Sequence, residues 1–193
     1  TLKPLSVYTP ALEAGYKPDD ILKDEALSYY DVQNYSRTYS GQATMTESLI
    51  YSLNAPAVWL LNEIGIDRGY KKVEQFGIKL DEKDRYHGLA LGGLTKGTTP
   101  VRMASAYSVF ANQGMKAEPH FITKIEDAKG VIIYENEKPK TKRVTTPEVA
   151  DEMTSMLQGV FSSGTGIEAK PYGYNIAGKT GTTNGPTDVW FVG

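Results

Sequence analysis

Three short stretches hold the residues whose types and spacing suit covalent chemistry. The first is Gly178-Lys179-Thr180-Gly181-Thr182-Thr183. Read from Gly173, it also spells G-x-x-x-x-G-K-[ST], the pattern of a phosphate-cradling loop. Such a loop needs an apolar strand before it and a helix after it, because the N–H groups at the helix start hold the anion. Here Glu168-Ala169-Lys170-Pro171-Tyr172 precedes it, which makes no buried strand. Gly181-Thr182-Thr183-Asn184-Gly185-Pro186 follows, and Gly and Pro are the poorest helix formers. The nucleotide reading fails on context. As a β-strand over Asn175 to Thr183, the same stretch offers a cation at Lys179 and hydroxyls at Thr180 and Thr182. Its small residues let a ligand lie along the edge. That combination suits a peptide-like substrate carrying a carboxylate.

The second stretch is Ser52-Leu53-Asn54, set between two helix-like runs. The third is Thr1-Leu2-Lys3-Pro4, which reads as the end of Ser-x-x-Lys with the serine lying before Thr1. In the order Ser-x-x-Lys, Ser-x-Asn, Lys-Thr-Gly, the set resembles the penicillin-binding proteins and serine β-lactamases. Other stretches resemble the class A (bifunctional) penicillin-binding proteins in particular. These are Gln33-Asn34-Tyr35 with Tyr39-Ser40-Gly41, Thr98-Thr99-Pro100-Val101-Arg102-Met103-Ala104 running to Gly114, Gly164-Thr165-Gly166, and Asp188-Val189-Trp190-Phe191-Val192-Gly193. The resemblance covers nearly the whole chain.

What the resemblance implies is acyl transfer on the D-Ala-D-Ala end of a peptidoglycan stem peptide. A serine attacks the carbonyl, D-Ala leaves, and an amine of a second stem peptide takes the acyl group. A serine hydroxyl needs an adjacent base. His87 and His120 are isolated, so lysine must serve. Lys3 lies one helical turn after the inferred serine, on the same face. Burial and a second cation, Lys179, would lower its pKa from about 10.4 so that it can accept a proton. The resemblance implies that Ser52 relays a proton among Lys3, Lys179 and the leaving amine, and that Asn54 orients Lys3 and the substrate amide. Thr180 and Thr182 would grip the terminal carboxylate with Lys179. The Thr182 N–H would share an oxyanion hole with the N–H of the inferred serine. Gly181 allows close backbone approach, and Thr183 with Asn184 continues the family pattern. Two bland readings stay open: Asn54 as the N-cap of a helix starting at Ala55, and Ser52 bonding only the backbone between helices.

These residues need elements to hold them. Leu2 to Ala14 reads as a helix, with Pro4 in its first turn, a kink or early end at Pro10, and Gly15 as its stop. Lys17 to Gly41 is polar and irregular. Helices are expected over Thr44 to Tyr51, Ala55 to Ile64 and from an Asp67 cap to near Gly77. Two more are expected, from Thr99-Pro100 through Ala111 and from Thr146-Pro147-Glu148 past Val160. Phe121 to Tyr134 reads as a hairpin turning at Ala128-Lys129-Gly130. Asn175 to Thr183 and Val189 to Gly193 are the last strands. The fold class is α+β: an antiparallel β-sheet flanked by helices with a helical subdomain. The resemblance adds that residues 1–193 form part of a transpeptidase domain whose sheet is incomplete at both ends.

Composition narrows the partners. A net charge of −2 over 193 residues leaves no basic footprint for nucleic acid, and the run from Lys138 to Arg143 reads as a solvated loop. The chain has no cysteine and no apolar stretch of membrane-spanning length. No cofactor or metal is expected. Thirteen tyrosines are expected to pack by their rings with hydroxyls in water. By resemblance, the partners are stem peptides, β-lactam antibiotics and the rest of the same polypeptide. That remainder would carry a glycosyltransferase domain and a membrane anchor, holding the enzyme outside the bacterial cytoplasmic membrane. Without the serine, the chain itself is expected to be inactive. D,D-carboxypeptidase, β-lactamase and non-catalytic β-lactam sensor share the motifs and stand as alternatives.

Overall fold

From Leu2 to Leu12 every residue is buried, so this segment must run through the interior rather than along a surface. Pro10 sits inside it and lacks the N–H that would reach the Ser6 carbonyl. The computed structural model, which describes residues 1–193 except 137, 138, 170–172, 184 and 186, shows how the chain accommodates this. A π-helical turn, Pro4–Tyr8, lets the Thr9 N–H reach back to the Pro4 carbonyl, and Thr9 Oγ1 donates to the same oxygen at 2.8 Å. The segment then continues as α1, Thr9–Glu13, with Pro10 in its first turn. The irregularity expected at Pro10 is therefore a widened turn just before it. Helix α4 packs closely on this turn at a glycine: a Cβ on Gly69 would lie 2.5 Å from the Ser6 carbonyl oxygen.

Helices α2 (Met45–Ile50), α3 (Ala55–Ile64), α4 (Ile66–Gln75) and α6 (Pro147–Ser162) pack around this axis, and α5 (Pro100–Ala111) lies against α6. Several starts follow the expected cap chemistry. Thr44 and Glu47 form a reciprocal capping box on α2, and Thr99 and Thr146 accept from the N–H groups of Arg102 and Val149. Leu5, Tyr8, Leu49, Leu60, Leu61, Phe76 and Met153 are fully buried in one continuous core.

The strands pair antiparallel in two-stranded units rather than in one sheet: β1 (Ile21–Asp24) with β2 (Gly41–Thr44), β3 (Met115–Ala117) with β6 (Thr141–Arg143), β4 (Lys124–Glu126) with β5 (Ile132–Glu135), and β7 (Lys179–Thr182) with β8 (Val189–Val192). The α+β class and the hairpin after Phe121 stand as read. The structure corrects other expectations. Lys17 to Gly41 contributes β1, whose alternate residues Leu22 and Asp24 are buried in an otherwise polar stretch. Thr141–Arg143 is a strand, because backbone pairing with β3 leaves its basic side chains in water; Lys138 lies outside the described residues. Asp67 does not cap α4. Gly65 stands at the cap position, and Asp67 in the first turn pairs with Arg85 at 2.6 Å. Tyr8, Tyr70 and Tyr107 depart from the tyrosine pattern, since all three are buried. Among the described residues no helix is long and apolar enough to cross a membrane.

Candidate active site

Lys3 sits where the buried axis begins, and its ammonium reaches the break between α2 and α3. Nζ donates to the Ser52 carbonyl at 2.6 Å, the Leu53 carbonyl at 2.9 Å and Asn54 Oδ1 at 2.7 Å, with Ser52 Oγ at 3.3 Å. Burial pushes the Lys3 amine well below the ordinary lysine value, and the charge of Lys179 pushes it further. The acceptors oppose both effects. Among the described residues no carboxylate faces Lys3, so burial and Lys179 press it toward neutrality and hydrogen bonds alone favour its charge.

The break itself has a definite form. The Ser52 N–H donates to the Leu49 carbonyl and the Leu53 N–H to the Ser48 carbonyl, which is the bonding of a Schellman helix end. Ser52 occupies the left-handed position of that motif, at φ 56°, where glycine is the usual residue. The chain accepts backbone strain to place a hydroxyl there.

Asn54 does not cap α3 with its side chain. Asn34 does that work from a distant loop: its Oδ1 accepts the N–H groups of Asn54 at 2.8 Å and Ala55 at 3.2 Å. Asn54 is left free to donate Nδ2 to the Gln33 carbonyl at 2.9 Å and to face Lys3 with Oδ1. The conflict between capping and binding at Asn54 is resolved by a residue 20 positions away.

Lys179 opens β7 and is almost wholly buried, at 1% exposure. Its Nζ donates to the Thr180 carbonyl at 3.1 Å, and burial brings its pKa down to about 8. Gly178 is tight as well, since a Cβ there would lie 2.6 Å from the Phe191 ring and the Val192 carbonyl. Thr180 Oγ1 lies 2.6 Å from Thr165 Oγ1 and 3.5 Å from Lys179 Nζ. Thr165 is held in turn by its N–H on the Ile50 carbonyl at 3.1 Å, and Gly164 beside it has no room for a Cβ against that carbonyl. A Cβ on Gly181 would lie 2.7 Å from the Thr1 nitrogen, so β7 and the start of the chain touch backbone to backbone. The Thr1 nitrogen is itself buried, close to Lys179 and Lys3. The Thr1 carbonyl accepts from Tyr107 Oη at 2.5 Å.

Beside this cluster opens a cavity of about 220 Å³, lined by residues that include Thr1, Thr98, Gly181, Thr182, Thr183 and Trp190. The structure brings Lys3, Ser52 and Asn54 into one hydrogen-bonded group and sets Lys179, Thr180, Gly181 and Thr182 along the adjoining strand. Thr183 is different: its hydroxyl accepts from the Asp188 N–H at 3.0 Å and serves the β7–β8 turn. Asn184 lies outside the described residues. Asn34, Asp24, Tyr107 and Thr165 carry the supporting contacts. Thr165 and Asn34 fall in Gly164-Thr165-Gly166 and Gln33-Asn34-Tyr35, stretches that marked the resemblance without suggesting a task. Lys179 opens a strand and not a helix, so the stretch from Gly173 lacks the helix start that a phosphate-cradling loop needs.

Comparison with known proteins gives the family of the chain. The whole chain, residues 1–193, matches the penicillin-binding protein transpeptidase domain. Penicillin-binding protein 2a of Streptococcus pneumoniae is 44% identical over 202 residues, covering 100% of this chain and 27% of that protein. Penicillin-binding protein 1F of Bacillus subtilis is also 44% identical over 202 residues, covering 100% of this chain and 28% of that protein. The chain therefore spans about a quarter of the length of the curated relatives it matches. A crystal structure of penicillin-binding protein 1A from Haemophilus influenzae superposes with a TM-score of 0.88 at 26% identity, over 98% of this chain and 35% of that one.

Proposed function

The chain belongs to the penicillin-binding protein transpeptidase domain family, with class A relatives, and on that premise we propose that it carries the acyl-transfer site of a peptidoglycan D,D-transpeptidase. The observation that supports this most is Lys3. A buried lysine, pressed toward neutrality by a second lysine and contacting a serine hydroxyl, is the base that a serine nucleophile needs.

The proposed nucleophile is a serine directly before Thr1 in a longer polypeptide, joined to the buried Thr1 nitrogen. Its Oγ attacks the carbonyl of the penultimate D-Ala while its proton passes to Lys3 Nζ. Collapse of the tetrahedral intermediate breaks the peptide bond, and the D-Ala amine takes the proton back from Lys3 through Ser52 Oγ. The resulting serine ester is then attacked by an amine of a second stem peptide, whose proton returns along the same path. Lys179 stays protonated and, with the Thr180 and Thr182 hydroxyls, holds the terminal carboxylate. The Thr182 N–H supports the oxyanion, a donor whose loss costs about 10²–10³ in rate. β-Lactams would acylate the same serine. The remainder of the proposed polypeptide supplies a glycosyltransferase domain and an anchor on the outer face of the cytoplasmic membrane.

The experiment is to treat the full-length protein with benzylpenicillin and map the adduct by mass spectrometry. The reading expects one penicilloyl group on the residue before Thr1. An adduct on Ser52, or none, overturns it.

A further inference from the structure

Asp24 and Asn34 lie on β1 and the loop that follows it, remote in sequence from every motif residue, yet both are buried, at 2% and 4% exposure. Asn34 uses all of its hydrogen-bonding capacity. Nδ2 donates to Asp24 Oδ1 at 2.6 Å and to the Thr38 carbonyl at 3.1 Å, while Oδ1 accepts from the backbone of Asn54 and Ala55. Asp24 Oδ2 accepts the N–H and the hydroxyl of Ser40, each at 2.8 Å. The carboxylate therefore dictates which way the Asn34 amide faces: with a pure acceptor on one side, only the NH₂ can point there. The opposite end is then an acceptor aimed at the start of α3. The Gln33 carbonyl next door repeats the logic on Asn54, taking its NH₂ and turning its oxygen onto Lys3.

From this geometry we propose that Asp24 and Asn34 are positioning residues for the acyl-transfer site, fixing the Asn54 amide so that its oxygen, and not its nitrogen, meets Lys3. The inference rests on the acyl-transfer reading above. Without Asn34, the N–H groups of Asn54 and Ala55 would lose their acceptor, and the loop that presents the Gln33 carbonyl to the Asn54 NH₂ would lose its tie to the start of α3, so the amide would no longer be held with its oxygen on Lys3. Lys3 would lose the acceptor at 2.7 Å and its fixed direction toward the nucleophile. Small misplacements of this kind cost up to about 10²-fold in rate.

The test measures β-lactam acylation by the full-length protein, separating reversible binding from the first-order acylation step, across pH. Asn34→Ala should slow the first-order step about 10- to 100-fold with binding affinity nearly unchanged, since the carboxylate clamp on β7 is untouched. It should also move the acid limb of the profile to lower pH. Asn54 Oδ1 favours the charged form of Lys3, and no carboxylate partners Lys3 among the described residues; the charge facing it is Lys179 on β7. Asp24→Asn, which keeps the shape, should give the same signature more weakly and serves if Asn34→Ala does not fold. Met153→Ala in the core of α6 controls for lost stability and should leave the limb in place. If Asn34→Ala and Asp24→Asn acylate within about twofold of wild type, with an unmoved acid limb, the pair is only a structural cap and the inference is wrong. If wild type itself does not acylate, it is the functional reading that has failed.

Discussion

Replacing Ser52 separates the backbone cost of this site from its chemistry. At φ 56° a residue with a Cβ sits in the left-handed region, at a cost of about 1–2 kcal/mol relative to glycine. Ser52→Gly removes that strain but loosens the unfolded chain, which takes back roughly 0.5–1 kcal/mol. Ser52→Ala keeps the strain. Both lose the hydroxyl and its long contact to Lys3 Nζ at 3.3 Å, so that term cancels between them. The glycine variant should therefore be more stable than the alanine variant by about 0.75 kcal/mol at the centre of these ranges, or about 1.5–3 °C in the melting of a domain this size. Their chemistry should be equal. Each should acylate with benzylpenicillin far more slowly than wild type, because neither can relay a proton. Thermal unfolding read alongside acylation in stopped flow gives both numbers on the same preparations. An alanine variant as stable as the glycine variant would show that the backbone at 52 is unstrained. A glycine variant that acylates within a few-fold of wild type would show that the hydroxyl has no part in the reaction.

Two further outcomes follow from the lysines and the threonine pair. The rate of acylation should be bell-shaped in pH. It should fall as pH rises through about 8, where Lys179 loses the charge that holds the carboxylate, and fall again on the acid side as Lys3 takes up a proton; a rate still rising well above pH 9 would show that the Lys179 charge is not needed. Thr165→Val should slow acylation by β-lactams that carry the free carboxylate and spare analogues with a neutral amide, because Thr165 fixes the Thr180 hydroxyl at 2.6 Å. Equal slowing of both would make Thr165 a packing residue of the Gly164 loop.

Sequence spacing carries local physics, and the elements it announced were those that local physics determines. Thr-Pro pairs at Thr99 and Thr146 start helices because a hydroxyl cap and a proline in the first turn act within four residues. The strand read over Asn175 to Thr183 was legible because Gly and Pro ruled out a helix, although it forms only over Lys179–Thr182. What stayed hidden depends on partners far along the chain. Leu22 and Asp24 look like any polar-flanked pair until β2 pairs with them. Asn54 had every local mark of an N-cap, and only Asn34, brought in by tertiary folding, overrides it. The site followed the same division: Lys3, Ser52, Asn54 and Lys179 stand in recognisable triplets, whereas Asp24, Asn34, Tyr107 and Thr165 act through contacts that no spacing records. The π turn at Pro4–Tyr8 was visible only as a proline conflict, because spacing does not say whether the chain kinks, ends or widens a turn there.

The central claim is that Lys3 is the base for a serine placed before Thr1, and Lys3→Ala in the full-length protein tests it most directly. The substitution leaves Ser52, Asn54 and the β7 clamp in place, so reversible β-lactam binding should persist. Acylation should be almost abolished, and because the amine itself is the missing part, the small amine methylammonium should restore some of the rate in proportion to its free-base concentration. Acylation by Lys3→Ala within a few-fold of wild type would contradict the account.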